Sequence, residues 1–123
     1  MVSMSQQIAV IMAALKVPAG GNLLLVAASG AVDPHTPGSA VITKAGIAVL
    51  TLAAPTAGID DGLIITLTSA TAYAHTLTAT GLLSTGSASV NEATFAAYAG
   101  AGLTLQAYNG TWQVIASNGV TFS

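Results

Sequence analysis

The residues able to do chemistry are few. The chain holds two His, four Asp and Glu taken together, two Lys and Arg taken together, and no Cys. His75 stands in the run Tyr73-Ala74-His75-Thr76-Leu77-Thr78, and His35 in the breaker-rich Asp33-Pro34-His35-Thr36-Pro37-Gly38. Both imidazoles with Asp33, or with Asp60 and Asp61, would supply metal-donor atoms. No two of them stand one helical turn apart, as paired histidine ligands do. A packed, hydrogen-bonded histidine is the simpler expectation. Asp60-Asp61-Gly62 resembles a cation loop, but the spaced acids and closing Glu of a Ca²⁺ loop are missing. Two-carboxylate glycoside chemistry would need Asp60 or Asp61 to meet Glu92 across a cleft. These aspartates are expected instead to accept backbone N–H groups within a turn. Ser29, Asp33 and His35 are triad residue types, yet Pro34 holds their stretch extended. There is no nucleophile elbow, P-loop or dinucleotide fingerprint. The expectation is a protein that is not an enzyme, with no catalytic residue, no metal and no cofactor.

The aromatic residues Tyr98, Tyr108 and Trp112 could form a sugar-binding platform. Trp112 shares an alternating face with Val114 and Ala116, so a core or interface position is expected for it.

The elements that position these residues follow from texture. A chain of 123 residues predicts one domain. Hydrophobic types make up 53% of it and charged types only 5%, against about a quarter charged in ordinary soluble domains. Two cations cannot neutralise a phosphate backbone or build a patch for anionic lipid, so neither nucleic acid nor membrane is an expected partner. The longest apolar run, Ile8–Leu15, is too short to span a bilayer. The first cation, Lys16, follows that run rather than preceding it, which is not the pattern of a secretory leader. A nearly chargeless exterior favours association, so an oligomeric subunit is expected.

Residues 1–38 read as an N-terminal arm and linker. Within Gln6–Lys16, helix formers place Ile8, Ile11, Met12 and Leu15 near one face, while the β-branched Ile8–Ile11 equally suits an extended segment. Pro18, Gly20 and Gly21 then break any helix. Leu23–Ala28 is a short apolar run. Residues 39–123 read as the β-domain. Val41–Thr43 and Ile47–Ala53 flank a turn at Lys44-Ala45-Gly46. Leu63–Ser69 and His75–Thr80 alternate, and Ala93–Tyr98 and Leu103–Tyr108 follow. Asn109-Gly110 is a hairpin signal leading into Trp112–Ala116, and Asn118-Gly119 turns into Val120–Phe122. Short strands with frequent turns predict an all-β fold: a small antiparallel sandwich or barrel-like domain behind an extended or partly helical arm.

Three stretches carry a resemblance: VITKAGIAVLTLAAPTAGIDDG, LTSATAYAHTLTAT and LTLQAYNGTWQVIASNGVTF. From Val41 onward, over about two-thirds of the chain, they resemble a β-domain recurring in structural proteins of tailed bacteriophages, including capsid decoration (cement) proteins and head or tail fibres. The resemblance implies a virion protein on the capsid exterior, a homotrimer that binds the major capsid protein and ties neighbouring subunits together. Residues 1–38 would then face the capsid. The interface expected on this reading involves Ile8, Ile11, Met12, Leu15, Leu23, Leu25, Tyr108 and Trp112. The alternative it implies is a tail-fibre or tail-tip module that contacts host surface glycans.

Overall fold

A computed structural model describes residues 23–35, 39–86 and 89–123. Among the described residues there is no helix. The strands are β1 (Leu23–Val26), β2 (Gly30–Ala31), β3 (Ser39–Ile42), β4 (Val49–Thr51), β5 (Ile64–Ser69), β6 (Thr76–Ser84), β7 (Ser89–Phe95), β8 (Gly102–Tyr108), β9 (Thr111–Asn118) and β10 (Val120–Phe122). They form one curled sheet, a half-barrel, ordered β1-β3-β5-β8-β9-β6-β4-β2, with β7 attached to β6 and β10 to β7. The all-β, barrel-like expectation holds. Among the described residues the sheet begins at Leu23, so β1 and β2 belong to the same sheet as the strands after Ser39. Ile8, Ile11, Met12 and Leu15, and the helix-or-strand choice for their segment, lie outside the described residues.

Strand direction departs from the antiparallel expectation. The pairs β1–β3, β3–β5, β2–β4, β4–β6 and β6–β9 are all parallel. The first six strands alternate between the two halves of the sheet, odd-numbered strands in one and even-numbered in the other. The chain thus winds as three coils, β1/β2, β3/β4 and β5/β6. Winding explains parallel neighbours without helices: each strand returns beside its predecessor only after a full coil, and a loop suffices for the return. Lys44-Ala45-Gly46 accordingly turns a corner between the two halves and does not close a hairpin. The antiparallel strands come later, with β8 on β5, β9 on β8, β7 on β6 and β10 on β7.

Period-two alternation decides what points inward. In β3, Ala40 and Ile42 are buried; in β5, Ile65, Leu67 and Ser69; in β8, Leu103, Leu105 and Ala107. Register stacks these into rungs such as Leu24–Ala40–Leu67–Leu103 and Leu50–Leu77–Ala93. Trp112, Phe95, Ile42, Leu50, Leu67, Leu77, Leu83 and Leu105 fill the interior without measurable exposure of more than a percent. At about 1.5–3 kcal/mol per fully buried large apolar side chain, this core is the main favourable term.

Two backbone features shape the sheet. Asn109 (φ 51°) and Gly110 (φ 79°) link β8 to β9, with Tyr108 facing Thr111. Consecutive positive φ values are what a two-residue hairpin turn requires. In β6 the alternation of burial is interrupted at Thr80-Gly81, both exposed, where Gly81 has φ 69° and its N–H donates to Asn91 Oδ1 at 2.8 Å. The irregularity separates Thr78, paired with Glu92, from Leu83, paired with Val90 and Trp112. This bend lets one strand join both halves of the sheet.

Candidate functional site

The polar side chains collect at the corners where successive coils meet. His75 is fully buried at one corner. Its Nδ1 accepts the Ala48 N–H at 3.0 Å, and its Nε2 lies 3.0 Å from Thr71 Oγ1. That hydroxyl donates to Lys44 O at 2.9 Å, so it accepts from an Nε2–H. The ring is therefore the neutral Nε2–H tautomer. Burial holds its pKa below the ordinary histidine value, and the Lys44 charge pushes the same way. The imidazole links the Lys44–Ala48 corner to the Thr71–His75 corner, with both nitrogens committed.

At a second corner, Asp60 Oδ2 accepts the Thr56 N–H at 2.7 Å and Oδ1 lies 3.1 Å from His35 Nε2. Asp33 Oδ1 accepts the His35 N–H at 2.9 Å across Pro34. The Thr56 N–H, then His35, holds the Asp60 carboxyl below its usual range, and the Asp60 carboxylate raises His35. At the same end of the sheet, Asp61 Oδ1 accepts the Asn109 N–H at 2.8 Å, and Trp112 Nε1 donates to Ala53 O at 2.9 Å. Glu92, on β7, accepts hydrogen bonds from Thr78 and Thr94.

Every carboxylate in the chain thus has a bonding task within the fold. The aspartates of the Asp60-Asp61 turn bond backbone N–H groups, as their sequence context suggested. The fold brings His35 to Asp33 and Asp60, a contact invisible in a sequence that separates His35 and Asp60 by 25 positions. It leaves His75 in its own corner. No group of three metal-ligating side chains occurs among the described residues. Ser29 Oγ accepts the Val49 N–H at 2.9 Å and has no place in a triad with His35.

The sheet surface offers a different kind of site. On the odd-numbered half and its antiparallel extension, register sets out the rows Leu23–Ser39–Thr66–Thr104–Ala116 and Leu25–Val41–Thr68–Gly102–Asn118. β1, β3, β5, β8 and β9 contain no charged residue. The even-numbered half carries Val49–Thr76–Thr94–Thr121 and Ala31–Thr51–Thr78–Glu92, with Glu92 its one charge. Among the described residues, charge other than Glu92 sits at corners; the faces are largely threonine and aliphatic.

Of the expected interface residues that fall in described segments, Leu23, Leu25 and Tyr108 are exposed. Trp112 is sealed in the core, facing Ala107 and Leu83 across its neighbouring strands. It cannot meet a partner from there. The expected alignment of Trp112, Val114 and Ala116 on one face is also corrected: a register shift between Thr104 and Leu105 inserts Ile115, and Ala116 is exposed. Among the described residues no helix is long and apolar enough to cross a membrane. No protein-family model matches the chain, and no curated protein matches it significantly.

Proposed function

We propose that this protein is a structural subunit of a tailed-bacteriophage particle, a capsid decoration (cement) or head-fibre protein that binds the capsid exterior as a homotrimer. The observation that supports it best is the pair of sheet faces almost without charge, broad β surfaces whose threonine and aliphatic side chains suit burial between protomers. Contiguous exposed apolar surface marks association sites more often than free surface, and Leu23, Leu25, Ile47, Val49 and Ile64 are exposed here. An interface between obligate partners buries roughly 2,000 Å² or more, and such faces carry no charge to be desolvated in forming one. The aspartates and histidines are occupied in holding corners, and Glu92 bonds Thr78 and Thr94 on the sheet, which favours a structural role over catalysis. The sequence resemblance supplies the phage context.

The test combines two measurements. Light scattering behind size exclusion should give three times the mass of one chain. Purified protein should then co-sediment with phage heads lacking their decoration protein and raise their resistance to heat or chelator. A monodisperse monomer that ignores such heads overturns the proposal.

The alternative, a fibre module contacting host glycans, has the exposed Tyr98 and Tyr108 in its favour. It loses the largest ring of the platform, because Trp112 is buried. Glycan binding abolished by Tyr108→Ala in a folded protein would favour it over capsid attachment.

A further inference from the structure

The two histidines tie different corners, and their surroundings are opposite. His75 is buried and neutral, with Lys44 the charged group acting on it and the Tyr73 ring tilted beside it at 6.2 Å between centroids. His35 lies between two carboxylates: Nε2 is 3.1 Å from Asp60 Oδ1, and Nδ1 is 3.5 Å from Asp33 Oδ1. A neutral imidazole has one N–H to offer, whereas the protonated ring has two, so this setting suits the cation. The His35 side chain is 61% exposed and the Asp60 side chain 11%, so the proton has open access to the ring while its main partner is held in place. Asp61, the next acid of the same turn, is engaged elsewhere by the Asn109 N–H.

The segment that His35 ties down is weakly held by everything else. β2 is two residues long, both exposed, and among the described residues it pairs only with β4. After it, the Val32 N–H donates to Thr51 O at 2.8 Å, and the Val32 side chain enters the core. Before it, Ser29 Oγ accepts the Val49 N–H. Asp60 belongs to a far firmer unit. Its Oδ2 accepts the Thr56 N–H, and its own N–H donates back to Thr56 O at 2.8 Å. The contact therefore joins a rigid turn of the second coil to a loosely attached strand of the first. Lifting that strand would uncover the Thr51 carbonyl and the apolar surface beneath Val32.

We propose that His35 is a pH-sensitive staple: its protonated imidazole holds Gly30–His35 against the Thr56–Asp60 turn, and loss of that proton frees this segment to open locally while the rest of the sheet stays folded. The neutral ring keeps one hydrogen bond to Asp60 but loses its charge assistance and its attraction to Asp33. The raised pKa of His35 agrees with the geometry. The tie is fully present below the ordinary histidine value and fades as pH rises through the folded one. The Ala48–His75 corner responds the other way, because acid protonates the acceptor of the Ala48 N–H. This inference stands apart from the virion reading and can fail without it.

Hydrogen exchange on the full chain tests it, with each amide's protection normalised to its intrinsic rate at that pH. The Val32 amide reports the stapled segment and the Ala107 amide, bonded to Leu63 O, reports the sheet. Between about pH 6 and about pH 8.5, Val32 should lose about two- to fivefold in protection relative to Ala107, the range set by exposed charge pairs. High salt should shrink the loss. His35→Gln, a change at a mostly exposed position, should leave circular dichroism unchanged and remove the pH dependence at Val32. Asp60→Asn should remove it as well and bring the His35 ring's titration, followed by its proton resonances, back toward the ordinary value. Val32 protection that tracks Ala107 at every pH, or a pH dependence that survives in His35→Gln, overturns the proposal.

Discussion

A buried histidine with both nitrogens bonded has no freedom to take a proton without breaking a contact. His75 accepts from Ala48 through Nδ1, and protonation would turn that acceptor into a second donor facing an N–H. Its folded pKa lies below the unfolded value near 6.5. As pH falls below that value, the unfolded chain binds a proton that the folded chain refuses, so stability declines. His35 acts oppositely. Its folded pKa is raised, so its contribution is present below 6.5 and fades as pH rises through the folded value. Asp60, lowered from 3.8, adds stability that survives until pH drops through its folded value. His75 is fully buried whereas the His35 side chain is mostly exposed and screened, so the His75 contribution outweighs the other and the melting temperature should fall on acidification from neutral pH toward 5. His75→Gln, whose carbonyl can still accept the Ala48 N–H, should flatten that fall, and His35→Ala should steepen it. Thermal melts at several pH values read both. Trp112→Ala is expected to cost about 3–5 kcal/mol, because it empties the core and strands the Ala53 carbonyl. Urea titration followed by circular dichroism measures the loss.

At the scale of elements, alternation told which side chains point inward but was silent on which strand lies beside which. Residues 63–69, 75–80 and 103–108 were legible as strands because Leu, Ile and Thr alternate there with period two. The Asn109-Gly110 hairpin was legible because few other dipeptides accept two positive φ values. The coil connectivity was not, since parallel neighbours are set by loops of unequal length: Leu23 meets Ser39, whereas Ser39 meets Thr66. Lys44-Ala45-Gly46 has the composition of a hairpin turn and serves as a corner, a distinction made only by distant pairing. Trp112, Val114 and Ala116 share a face in an ideal strand, and one inserted residue undoes it. The corner contacts escaped for the same reason, as His35 and Asp60 meet only after a coil closes. The bend in β6 is the element on which closure turns. Gly81→Ala, which forces a side chain into positive φ, should cost about 1–2 kcal/mol. Chemical denaturation should show a lower midpoint, and slower-growing protection at Leu83 and Trp112 in exchange experiments would place the damage at the β6–β9 joint.

For the molecule as a whole, the proposed assembly would bury the odd-numbered face, whose strands carry no charge. A protomer whose odd-numbered face carries only Ser, Thr, Gly, Gln, Asn and aliphatic or aromatic side chains hydrates that face weakly. Ser39→Lys with Thr104→Lys places two cations on one row, separated by Thr66. If this face is buried between copies, the pair should shift the assembly toward smaller species in light scattering while circular dichroism of the dilute protein stays unchanged. An unchanged mass would move the association surface to the other half of the sheet.

The joint between β6 and β9 has a consequence for synthesis. Three coils leave the ribosome before the strands that finish them: β5 waits for β8, and the far end of β6 waits for β9. Until residues past Thr111 emerge, the nascent polypeptide displays uncovered leucine rungs and bare strand edges with few repelling charges. Such a chain folds slowly, because its decisive contacts are remote in sequence. Loss of even the final dozen residues, which takes β10 and all of β9 but Thr111, should leave β6 and β8 without their partner and keep the sheet from closing.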